Sequence, residues 1–115
     1  MIEAYRYRSG PRHALLVQGH SGYAPRGSDV VCAGVSALCA ALASTLDRLE
    51  KKREISSLDY RISEGCFYCS FDDGGRGEGS GAFECACAGI GLISECYPAC
   101  AAISESPVLP VKGKR

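Results

Sequence analysis

Two residues in the first third of the chain have the types and the spacing for covalent chemistry, His20 and Cys32. His20 follows an apolar run, Ala14-Leu15-Leu16-Val17, that stops at Gln18-Gly19. Cys32 opens a run of apolar and small residues that continues as Ala33-Gly34-Val35-Ser36-Ala37-Leu38. The nucleophilic form of cysteine is the thiolate. A free thiol has a pKa of about 8.5, and a helix N-terminus or a nearby imidazolium lowers it. Imidazole changes charge near neutrality and can carry the proton that such a thiol gives up. The plainer reading stands beside this one: a cysteine buried as a small hydrophobe and a histidine that merely ends a strand.

The elements that must position the pair follow from the residues around them. Ala14 to Val17 reads as strand, and Val31 onward reads as helix. The Gly- and Pro-containing segment between them can continue neither. Ser28 and Asp29 both have side chains suited to N-capping, which makes Cys32 the third or fourth helical residue. The unpaired N–H groups of that first turn present partial positive charge to its sulfur. The loop from Ser21 to Ser28 carries Gly22 and Gly27 as hinges and Tyr23 and Pro25 at its crown. With no apolar periodicity to pin it, it is expected to be mobile, either as a lid that orders on a peptide or as a plain connector. Ser36, one turn beyond Cys32, either lines a cleft or back-bonds within the helix.

The stretch Gly19-His20-Ser21-Gly22-Tyr23-Ala24, followed by Asp29-Val30-Val31-Cys32-Ala33-Gly34-Val35-Ser36-Ala37-Leu38, resembles the signature of the ribosomal-processing cysteine proteases. These are small bacterial enzymes of about this length, and a looser match follows at Gly91-Leu92 and Tyr97-Pro98. Ser21 stands where that family usually has Ala, and Gly34 where Ala is common. Neither change removes a reacting group, though Gly34 weakens the helix by roughly 0.5–1 kcal/mol relative to Ala. The resemblance implies a cysteine endopeptidase in which Cys32 attacks the scissile carbonyl and His20 acts as base and then acid. N–H groups around Cys32 would stabilise the oxyanion, and Asp29 would either orient the imidazole or cap the helix. It also implies a homodimer and a substrate, the hydrophobic N-terminal extension of a large-subunit ribosomal protein precursor (the twenty-seventh). A non-enzymatic ribosome-associated assembly protein of the same fold is the alternative.

Composition narrows the field further. A chain of 115 residues, 46% hydrophobic and 23% charged, suits one domain with a real core and no separate cofactor domain. We expect that domain over 1–105 and a C-terminal tail over 106–115. Thirteen basic and 13 acidic residues balance, which disfavours a sequence-independent nucleic-acid binder. The basic end Lys112-Gly113-Lys114-Arg115 is a solvated terminus rather than an RNA contact. No signal peptide is visible, and no apolar run reaches the roughly 18 residues of a membrane span, so no membrane partner is expected. A cytoplasmic, reducing setting follows, in which the eight cysteines stay free and most serve as small core hydrophobes.

Along the chain, Ile2 to Arg8 and His13 to Gln18 read as a hairpin around Ser9-Gly10-Pro11-Arg12. His13 is expected at the surface or in the turn. Val31, Val35, Leu38, Leu42, Leu46 and Leu49 form the core stripe of a helix from Asp29 to Lys51. Leu58, Tyr60 and Ile62 alternate with polar residues as a half-exposed strand. After Glu64-Gly65, Cys66 to Phe71 makes a more buried one. Asp72 to Gly81 reads as a mobile, low-complexity loop, Ala82 to Cys96 as a second helix, and Ala99 to Ile103 as a last strand. Cys66-x2-Cys69 and Cys85-x-Cys87 lack the turn geometry of zinc ligands, and Gly77-x-Gly79-x-x-Ala82 lacks the strands of a nucleotide fold. No metal or cofactor is expected. The fold class is therefore α+β, two helices on a mainly antiparallel sheet of four or five strands.

Overall fold

Ile2 and Ala4 are buried while Glu3 between them is exposed, and this two-residue period makes Ile2–Ser9 the first strand, β1. A computed structural model describes residues 1–25 and 27–110. Gly10 and Pro11 turn the chain into β2 (Arg12–Gln18), which pairs antiparallel with β1 from Glu3 opposite Gln18 to Ser9 opposite Arg12. After helix α1 (Val30–Lys51), β3 (Ile55–Ser63) and β4 (Cys66–Asp73) form a second hairpin, and β4 lies antiparallel to β2. Helix α2 (Glu78–Cys96) then carries the chain over the sheet to β5 (Ala101–Glu105), which runs parallel to β1. A parallel neighbour requires such a crossover. The sheet order is β3-β4-β2-β1-β5, a mixed five-stranded sheet in an α+β fold.

Both helices pack on one face. Leu15 and Val17 of β2 and Phe67, Cys69 and Phe71 of β4 meet Val31, Val35, Leu42, Leu46 and Leu49 of α1 and Phe83, Ala86, Cys87 and Ile90 of α2. By length and composition α1 is apolar enough to cross a membrane, which corrects the expectation that no run reaches that length. Its buried stripe faces the sheet, as in a core helix.

Three further expectations are corrected. His13 is only 1% exposed: its ring stacks on Phe71 and meets Phe83 edge-on. Its Nδ1 lies 2.8 Å from the Pro11 carbonyl and its Nε2 3.0 Å from Ser80 Oγ, so both nitrogens are satisfied inside. The Asp72–Gly81 segment is mostly not a loop, because β4 runs through Asp73 and α2 starts at Glu78. Asp73 accepts the Gly75 and Ser80 amides, and Gly79 sits where a Cβ would stand 2.7 Å from Ile55 and 2.9 Å from Phe71. Glycine there is a packing requirement, not a sign of flexibility. Only three cysteines are buried (Cys39, Cys69 and Cys87), whereas Cys85 and Cys96 are exposed.

β3 begins earlier than its alternation suggests because its register slips between Ser56 and Asp59, around Ser57 at a φ of 55°. The last strand is shifted two residues on. Beyond it the Ser106 amide bonds the Arg6 carbonyl at 2.7 Å. Of the expected tail, 111–115 lie outside the described residues.

Candidate active site

The end of β2 and the start of α1 converge. At Gln18 the strand still faces Cys66, and the Gly19 amide bonds the Gly65 carbonyl at 2.9 Å, so the β3–β4 turn lies beside His20. Gly65 has a φ of 73°, and a Cβ there would stand 3.0 Å from His20 Nε2. The imidazole therefore rests against a turn that only glycine leaves open.

Asp29 caps α1 in extended backbone. Its Oδ1 accepts the amides of Val31 and Cys32, both at 3.0 Å, and its Oδ2 accepts the Ser21 hydroxyl. The Ser21 hydroxyl in turn accepts the Tyr23 amide at 3.0 Å. These bonds, the Ser21 hydroxyl first and the Cys32 amide next, hold the Asp29 carboxyl down to about 2. Both carboxylate oxygens are thus engaged in capping and in holding the loop. Of the N–H groups around Cys32, those of Val31 and Cys32 itself are taken by the cap. The Ser21 amide donates to Cys32 Sγ at 3.4 Å.

A cavity of about 720 Å³ opens over this junction. His20, Cys32, Gly22, Gly27, Asp29 and Ser36 all line it, with buried Val17, Val35, Cys39 and Phe67. Tyr23 stands off from it, with its ring edge-on to Tyr97 at 5.3 Å. In the loop, Ser21 is 4% exposed, and the Ser28 amide bonds the Pro25 carbonyl at 2.9 Å. One wall escapes sequence reasoning, namely Ile62 through Phe67 of the β3–β4 hairpin. Glu64-Gly65 is readable as a turn, but only the pairing of β4 with β2 places that turn at His20.

Three thiols are set apart by burial. Burial pushes the Cys39 thiol up to about 12 and that of Cys87 up to about 11, and it raises Cys69 as well. These three are core groups, inert at neutral pH. Among the described residues no group of three or more His, Cys, Asp or Glu could hold a metal ion.

The family model described as cysteine protease Prp matches residues 1–99. The fold is similar to that of an essential ribosomal processing protease Prp from S. aureus in complex with a covalently linked product peptide. That match has a TM-score of 0.75 at 19% identity and covers 92% of this chain and 100% of the other. The same S. aureus protease with a substrate peptide gives a TM-score of 0.70 at 18% identity, with the same coverage. SMU.848 from Streptococcus mutans is 26% identical with a TM-score of 0.63, over 91% of this chain and 93% of that one. No curated protein matches the chain.

Proposed function

Because the chain belongs to the cysteine protease Prp family, we propose that it removes the hydrophobic N-terminal extension of a large-subunit ribosomal protein (the twenty-seventh) before that protein joins the ribosome. The carrying observation is that His20 and Cys32 line one cavity, with the Ser21 amide on the Cys32 sulfur. Cys32, as thiolate, attacks the scissile carbonyl carbon. The tetrahedral intermediate collapses to a thioester as His20 protonates the leaving amine. His20 then takes a proton from water, which hydrolyses the thioester and frees the thiol. The apolar floor of the cavity suits a hydrophobic peptide, and Ser36 lines its path. We further propose that the enzyme works in the cytoplasm and as a homodimer. Membership of a protease family removes the non-enzymatic alternative.

The test is incubation with the ribosomal protein precursor, read by mass spectrometry. The wild type should release the extension. Cys32→Ala and His20→Ala should each abolish release, and the double variant should be no worse, since such residues act as a unit. Turnover by Cys32→Ala at the wild-type rate would end this reading. Sedimentation of the purified protein at micromolar concentration decides the dimer.

A further inference from the structure

Ser21 sits where the chain leaving β2 with His20 meets the helix carrying Cys32. Its hydroxyl donates to Asp29 Oδ2 and accepts the Tyr23 amide at 3.0 Å, and its own amide donates to Cys32 Sγ at 3.4 Å. Through its peptide bond it is also the neighbour of His20. The residue itself is 4% exposed, while its partners Asp29 and Cys32 are half-buried. The helix amides nearest the sulfur, Val31 and Cys32, are already engaged by Asp29 Oδ1. The Ser21 amide, by contrast, donates to the Cys32 sulfur itself.

We propose that Ser21 is a positioning residue of the protease, a strut whose hydroxyl, anchored on the helix-capping carboxylate of Asp29, aims its own amide at the Cys32 sulfur. A charge-assisted O–H···O⁻ bond is among the stronger side-chain bonds, and it fixes the residue at both ends. Asp29 is itself locked to the first turn of α1, so the strut ties the loop to the same two amides that set the direction of Cys32. A serine hydroxyl is needed because one atom must donate to the carboxylate and accept from Tyr23 at once. Alanine at this position keeps the amide but not the strut, so Ser21→Ala is expected to lose the aim of the amide.

The inference rests on the protease reading, but its test has a readout that does not need cleavage. Wild type, Ser21→Ala, Asp29→Ala and the double variant are alkylated with iodoacetamide at neutral pH, and modification of Cys32 is followed by peptide mass spectrometry. In parallel, kcat and KM are measured on the precursor. Ser21→Ala is expected to slow both Cys32 alkylation and kcat by roughly tenfold, the scale of one charge-assisted bond, with KM little changed. In the Asp29→Ala background, Ser21→Ala should have no further effect, since the anchor is already gone. Wild-type alkylation in Ser21→Ala, or the same loss in both backgrounds, would overturn the strut. Exposure of Cys39 and Cys69 to the reagent in Ser21→Ala would overturn it too, by making Ser21 a residue of the fold. Failure of the wild type to cleave would instead count against the protease reading, leaving the alkylation cycle to judge Ser21.

Discussion

Asp29 gives the site a specific acid sensitivity. Its carboxyl, ordinarily at 3.8, is held at about 2 in the folded protein, so the native state favours the ionised form. A depressed carboxylate contributes stability that is full above its unfolded value and lost as the pH falls through the folded one. The window therefore lies between 3.8 and about 2. Asp29→Asn keeps a capping oxygen but does not titrate. Helical circular dichroism should show less pH dependence in that window for the variant than for wild type, and identical acid transitions would place the acid lability elsewhere. Ser21→Ala should narrow the window by raising its lower edge, because the hydroxyl is the first cause of the depression. At this scale the sequence singles out His20 and Cys32 by side-chain type, and the fold sets both on one cavity. The sequence is silent on Ser21, because a serine in a glycine-rich loop acquires its role only from what folds against it.

The β3–β4 hairpin makes the clearest claim among the elements, since its turn seats the imidazole. Gly65→Ala adds a Cβ within 3.0 Å of His20 Nε2 at a φ that L-residues disfavour. Cleavage should fall by about tenfold or more while buried Cys39 stays protected, because the imidazole rather than the core must give. Full activity in Gly65→Ala would show that the turn does not set the ring. Gly79→Val tests the glycine at the start of α2. Its side chain would meet Ile55 and Phe71, and overpacking of that kind costs about 1–3 kcal/mol, readable by urea unfolding. The helices are legible because a stripe such as Val31, Val35, Leu42 and Leu46 repeats with the helical period. The Asp72–Gly81 stretch is not, since glycine has one appearance in sequence whether it bends a loop or lets a helix touch a sheet.

For the molecule as a whole, strand order is the information that local pattern lacks. Nothing in Glu64-Gly65 or in Ile2 announces that both reach the cleft. Ile2 does so because β1 pairs with β2, which sets it beside Gly19, and Glu64-Gly65 because β4 pairs with β2. The far end of β2 supplies a control. His13 lies seven residues from His20, roughly 20 Å along an extended strand, between Phe71 and Phe83. His13→Ala removes a buried ring and leaves the Pro11 carbonyl and Ser80 hydroxyl without it. Stability should fall by about 2–4 kcal/mol while kcat of the folded fraction is unchanged. A comparable loss of kcat in the fully folded variant would reveal communication along the strand.

The parallel pairing of β5 with β1 also sets a timetable. Ile2, a lining residue of the cleft, is bonded through its amide to the Cys100 carbonyl at 2.8 Å and is flanked by Ala101, both made among the last residues of the domain. During synthesis, at about 5–20 residues per second, β1 therefore emerges long before β5, the strand that completes its hydrogen bonding. On a growing chain the outer edge of β1 thus stays unpaired until the last strand of the sheet has emerged.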